Sequence, residues 1–259
     1  MEFVQSLFGL KGKVAAVIGG GGVLAGAMAE GLARAGSDVA ILDLSKENAQ
    51  KQADALNALG VKSIPIQIDA ASKTDLESGL KQTLTVLGRV DILINAPGVN
   101  SATPFFEITE EEWDKIIRVN LKSMFLACQI FGKKMIEQGQ GGSIINISSA
   151  SSGPPLSKVF TYSVSKAGVN NLTQWLAREW ASHRIRVNAI APGFFPAEQN
   201  RKILTQERVE SIMRHTPMNR FGEAEELVGA AIWLSSDKAS SFVTGAVIRV
   251  DGGYTAMTI

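Results

Sequence analysis

The chain predicts an α/β protein: one doubly wound parallel sheet of seven strands with helices on both faces. Three observations lead there. Seven short runs rich in β-branched residues recur along the 259 residues, most of them nearly all apolar, as expected of strands covered on both faces. Longer stretches with helical spacing separate the runs, and such alternation builds βαβ units. No Pro/Ser-rich stretch, low-complexity tract or shift in composition interrupts the chain, so 1–259 reads as a single domain.

The bulk numbers narrow the function. Hydrophobic residues make up 45% and charged residues 20%, with a net charge of +1 spread along the chain. There is no basic block to attract nucleic acid or an anionic membrane. The opening MEFVQSLFGLKGK lacks the apolar run of a signal peptide, and no run elsewhere is long enough to span a bilayer. The only cysteine, Cys128, lies in the apolar run LKSMFLACQIF and reads as a small core residue. With no internal disulfide available, a cytoplasmic protein is expected. His183 and His215 lack the spacing and carboxylate companions of a metal site, so no metal is expected.

Taken in order, KVAAVI (13–18) is the first strand and GGGGVLAG (19–26) follows it directly into a helix. Glycines there let backbone N–H groups approach a pyrophosphate, and the helix N-terminus favours negative charge. LAGAMAEGLARAG (24–36) has helical spacing and ends in Gly. DVAILD (38–43) is the second strand. Its last residue, Asp43, suits the adenosine ribose hydroxyls and repels a 2′-phosphate. No Arg or Lys lies within 19–26 and Leu44 follows Asp43, which favours NAD(H) over NADP(H). After the helical SKENAQKQADALNALG (45–60), IPIQI (64–68) is the third strand, with Pro65 expected near its start. Asp69 then either hydrogen-bonds adenine or caps the next helix.

DILIN (91–95) is the fourth strand. The interval to 143 carries two helices, dominated by residues 110–139. SIINIS (143–148) is the fifth strand, and Ser149 stands at its carboxyl end, where open α/β sheets bind ligands. Its hydroxyl can stabilise developing negative charge on a substrate oxygen, whereas Ser148 alternates to the other side. TYSVSKAG (161–168) places Tyr162 and Lys166 four apart, on one face of a helix. A nearby ammonium favours tyrosinate, which suits Tyr162 to acid/base work. IRVNAI (185–190) and AVIRV (246–250) complete the sheet. Between them, residues 193–218 read as a substrate lid with polar and cationic groups.

In this order the residues resemble the short-chain dehydrogenase/reductase family from about 10 to 254. The resemblance rests on the turn Ile18-Gly19-Gly20-Gly21-Gly22-Val23-Leu24-Ala25, on Asn95-Ala96-Pro97-Gly98, and on Asn120 in RVNL. Ser149 after INIS, Tyr162-x-x-x-Lys166, Pro192-Gly193 and VTGAVIRVDGGY continue it. It implies a Rossmann-type fold, an NAD(H)-dependent oxidoreductase and a catalytic set of Asn120, Ser149, Tyr162 and Lys166, with Asn120 holding a relay water. It implies cofactor contacts from Gly19, Gly21, Gly22, Val23, Leu24, Asp43, Asp69, Ala70, Asn95, Ala96, Pro97, Tyr162, Lys166, Pro192, Gly193 and Phe195. It also implies a homotetramer built on the helices near 110–137 and 161–181 and on the last strand. Three departures touch cofactor contacts: Ile18 replaces Thr, Val23 and Ala25 replace glycines, and Ala197 stands where Thr is expected.

PGFF-x-x-EQNR, HTPM-x-RFG and KASSFVTG are similar to the fructuronate reductase or D-mannonate oxidoreductase branch, which implies a sugar-acid or related polyol substrate. Ser149, Ser151, Tyr162, Gln199, Asn200 and Arg201 are the candidate substrate contacts. The competing readings are a non-catalytic NAD(H)-binding sensor or assembly protein, and redox of a hydrophobic carbonyl compound. The incomplete glycine pattern alone supports the sensor, and the four-residue catalytic set opposes it.

Overall fold

A computed structural model describes residues 2–196 and 205–257. A seven-stranded sheet of order β3-β2-β1-β4-β5-β6-β7 runs through it, with all six neighbouring pairs parallel. Its strands are β1 Val14–Ile18, β2 Asp38–Asp43, β3 Ser63–Gln67, β4 Ile92–Asn95, β5 Gly142–Ile147, β6 Ile185–Pro192 and β7 Val247–Val250. The helices are α1 Glu2–Phe8, α2 Val23–Arg34, α3 Lys46–Asn57, α4 Lys73–Leu87, α5 Glu110–Ile117, α6 Ser123–Gln138, α7 Phe160–Trp180, α8 Gln206–Arg214 and α9 Val228–Ser235.

The core lies in two layers, one on each face of the sheet. Met28, Leu32, Leu56, Leu227 and Leu234, from α2, α3 and the α9 region, pack on one face. Leu76, Leu126, Phe131, Met135 and Leu176, from α4, α6 and α7, pack on the other. Close helix contacts depend on missing side chains: a Cβ at Gly132 of α6 would lie 2.5 Å from the Trp180 ring. Cys128 is buried in the second layer, and burial pushes its thiol up to about 12, so it is an inert core group.

Pro65 departs from expectation. It is the third residue of β3, not near the start. β3 is an edge strand. Ile68 N–H donates to Asp43 O while Ser63 N–H turns outward to Asn57 Oδ1. By alternation the Pro65 nitrogen also faces the free edge, so no ladder bond is lost.

The strand order reverses between β1 and β4, and the carboxyl ends of these strands frame the crevice where such sheets hold ligands. A buried polar chain ties the sheet together below it. Asn95 Nδ2 donates to Asn146 Oδ1 (2.9 Å), and Asn146 Nδ2 donates to Thr173 Oγ1 on α7 (3.0 Å). Among the described residues no helix is long and apolar enough to cross a membrane, and no cluster of His, Cys, Asp or Glu is arranged for a metal ion.

Candidate active site

A cleft of about 940 Å³ opens along the carboxyl ends of the strands, lined by Ser149, Tyr162 and Lys166 together with Val23, Ala96 and Gly193. Two elements place these three groups, the end of β5 for Ser149 and α7 for Tyr162 and Lys166. Ser149 follows β5 in extended backbone and caps the short turn Ala150–Ser152. Its Oγ accepts from both Ser151 N–H (3.2 Å) and Ser151 Oγ (3.1 Å), so its own proton points into the cleft, where the Tyr162 phenol is its partner. Ser148 donates instead to Asn170 Oδ1 on α7 (2.6 Å), so Ser149 is the serine available to a substrate. Ser151 is buried with its hydroxyl on Ser149; it supports that residue and is not itself presented to the cleft.

Tyr162 and Lys166 lie one turn apart on α7, with the ammonium 5.6 Å from the ring centroid. Lys166 is buried, donates to Ile147 O (2.7 Å), and is lowered to about 8 by loss of water. The Tyr162 phenol is raised, because burial outweighs the hydrogen bond with Ser149. The spacing predicts a phenol drawn down by the ammonium; the free protein holds it up. Desolvation acts on both groups: it disfavours tyrosinate, and it disfavours the ammonium that would stabilise tyrosinate.

Asn120 sits in a π-helical turn, Arg118–Lys122, between α5 and α6. Such a turn inserts an extra residue and redirects the side chain. Asn120 Oδ1 accepts from Val99 N–H (2.8 Å), and Nδ2 donates to Val99 O (2.9 Å) and Ser165 Oγ (3.1 Å). It therefore clamps the loop after β4 onto α7. Gly98 lies between it and Lys166: a Cβ there would be 3.8 Å from both Asn120 Oδ1 and Lys166 Nζ.

The turn after β1 has the features of a phosphate cradle. Gly19 is left-handed (φ +76°), and a Cβ there would meet Ala96 C and O at 3.2 Å. Gly22 caps α2 with no side-chain hydrogen bond, and no acidic residue occupies the first helical turn. The leading N–H groups therefore point out with the positive end of the helix dipole, as an anion requires. A nicotinamide dinucleotide fits this donor set. Val23 is 60% exposed at the helix start, so the side chain replacing glycine there has room, and Leu24 also lines the cleft. Gly26 packs against Gln52 of α3, which donates to its carbonyl.

Asp43 accepts from Gly21 N–H (3.0 Å) and Ser45 N–H (2.9 Å), which leaves further lone pairs for a ribose. Asp69 stands beside it, after β3, 3.7 Å from Arg118. The cap of α4 is Ser72, so the capping alternative for Asp69 falls. Ala70 is half-buried next to it. Asn95 does not reach the cleft with its side chain, which is buried in the polar chain below. Ala96, Pro192, Gly193 and Phe195 do line it, and Pro97 contacts the Gly19 turn. Gln199, Asn200, Arg201 and Ala197 lie outside the described residues. Sequence reasoning missed Arg208 and Ile212, which line the cleft from α8, and Leu156 and Val159, which line it from the loop before α7. The i, i+4 spacing of Arg208 and Ile212 was the available signal, but nothing in the sequence aimed that face.

A family model described as enoyl-(acyl carrier protein) reductase, of the short-chain alcohol dehydrogenase type, matches residues 22–255. The chain belongs to the short-chain dehydrogenase/reductase family. Within that family it is 38% identical to the uncharacterized oxidoreductase UxuB of Bacillus subtilis, over 95% of this chain and 96% of the relative. A NAD-bound structure from Haemophilus influenza, proposed to be a D-mannonate oxidoreductase, superposes with a TM-score of 0.93 at 35% identity, covering 98% of this chain and 99% of that one. A gluconate 5-dehydrogenase from Burkholderia cenocepacia, in complex with NADP and tartrate, also gives a TM-score of 0.93, at 32% identity, covering 98% and 100%. Short-chain dehydrogenases carry nicotinamide cofactors, and this chain is an oxidoreductase of that family.

Proposed function

We propose that the protein is an NAD(H)-dependent oxidoreductase that moves a hydride between nicotinamide and a keto or hydroxy group of a sugar acid or related polyol. The observation that carries this is the meeting of Ser149, Tyr162 and Lys166 in one cleft that reaches Val23 and Leu24, directly after the glycine turn. The relatives support the substrate class: one is a gluconate 5-dehydrogenase whose structure holds tartrate, itself a hydroxy acid. They divide on cofactor, with NAD in one neighbour and NADP in another. Asp43 supports NAD(H) here, since a 2′-phosphate would meet its carboxylate beside Gly21.

The cofactor, when bound, supplies or accepts the hydride. The chain manages the oxygen. Ser149 Oγ–H, with its lone pairs already engaged by Ser151, donates to the substrate oxygen and stabilises its negative charge. The Tyr162 phenol, kept protonated by burial, gives its proton to that oxygen in reduction and recovers one in oxidation. Lys166, with its pKa near 8, can exchange a proton at neutral pH. Asn120 fixes the loop that covers Lys166.

The exposed Phe125 of α6 and Trp175 of α7 support the homotetramer that the family resemblance implies, and a buried lone cysteine suits a reducing cytoplasm. The test of the function is a panel of keto sugar acids and the matching neutral compounds, run with NADH and NADPH. Turnover of an acid, faster with NADH, with the gap narrowed by Asp43→Ser, is the expected result. Bound NADH with no turnover of any carbonyl or alcohol would favour a sensor.

A further inference from the structure

We propose that Arg208 is the carboxylate anchor of the cleft, binding the acid end of the substrate while its oxygen reacts at Tyr162 and Ser149. This rests on the sugar-acid reading above. α8 turns one face into the cleft through Arg208 and Ile212, one helical turn apart. Arg208 and Lys166 are the two charged side chains among the described lining residues, and no carboxylate is among them. The described lining therefore carries cationic groups and no carboxylate. Lys166 is committed at depth to Ile147 O, which leaves Arg208 as the cation able to meet an acid.

Arg208 itself is half-buried and makes no ion pair among the described residues. Several arginines in this chain are matched, Arg220 to Glu226 through two hydrogen bonds, Arg186 to Asp237, Arg89 to Asp91 and Arg34 to Glu30; what sets Arg208 apart from the unmatched ones is that it lines the cleft. Arg208 Nη1 donates to Ser157 Oγ (2.9 Å). That bond reaches across the mouth to the loop after Ser149, whose Leu156 lines the opposite wall. It fixes the guanidinium yet leaves most of its five donors unused. A planar fork held in place, half-buried and without a counter-ion among the described residues, is matched by a carboxylate that accepts two parallel hydrogen bonds.

The test compares wild type, Arg208→Leu and Arg208→Lys on a keto sugar acid and on the neutral keto sugar of the same length, with NADH. Losing charge-assisted hydrogen bonds should lower kcat/KM for the acid by about 10- to 100-fold in Arg208→Leu, chiefly through KM. The neutral sugar should lose less than about 3-fold. NADH affinity and thermal midpoint should be unchanged. Arg208→Lys keeps the charge without the fork and should fall between the two. An equal loss on acid and neutral sugar, or no loss on the acid in either variant, overturns the anchor and leaves the function standing. A wild type that reduces neutral sugars and no acid overturns both.

Discussion

Lys166 is buried, its ammonium faces a backbone carbonyl, and it has no carboxylate partner among the described residues. Its pKa falls from 10.5 to about 8, which corresponds to roughly 3 kcal/mol against the charged form at neutral pH. The bond to Ile147 O returns about 1 kcal/mol. Between pH 8 and 10.5 the unfolded chain binds more protons at this site than the folded one, so stability from this group rises with pH across that window. Lys166→Met should therefore stabilise the protein by about 2 kcal/mol at pH 7, with the gain shrinking toward pH 10. Urea unfolding at the two pH values checks this. A variant less stable at pH 7, or a gain that ignores pH, would show that the ammonium is not held at a cost. The Tyr162–Lys166 contact was legible in the sequence from its spacing. The upward direction at Tyr162 was not, because it depends on how much water two neighbouring elements exclude.

At the scale of elements, the strand runs match the observed strands to within two residues at each end, because a doubly covered strand must be apolar throughout. Pro65 read as a strand start only because its edge position is a property of the sheet, not of the run. The π-helical turn at Asn120 was also hidden, since RVNLK has an ordinary helical composition. α7 shows both of its faces in its pattern. Its inner positions carry Tyr162 and Lys166, which line the cleft. Its outer positions 164, 167, 171 and 175 recur at helical spacing and are exposed, with Trp175 at 58%. Phe125 on α6 is 45% exposed. A single exposed Trp is ordinary, but Val164, Ala167 and Trp175, interrupted only by Asn171, make this outer face largely apolar and a candidate interface. We expect the wild type to be a homotetramer and Trp175→Glu to dissociate to smaller species, as read by size exclusion with light scattering. A wild-type monomer, or an unchanged assembly in the variant, would remove α7 from any interface.

Across the whole molecule, the sheet reversal between β1 and β4 brings together groups far apart in the chain. The turn at 19–22, Asp43, Ser149 and the α7 pair all fall at the carboxyl edge of one sheet. The turn, Asp43 and Ser149 were readable because each ends or directly follows a strand, and the α7 pair because of its i, i+4 spacing. Arg208 follows no strand, and only the fold shows that it lines the cleft. The most direct measurement is NADH oxidation on a keto sugar acid by wild type and by Tyr162→Phe, with NADH binding followed by fluorescence. The account predicts a loss of about 10²- to 10⁴-fold in kcat with NADH affinity retained. Turnover surviving in Tyr162→Phe within a few-fold of wild type would contradict it.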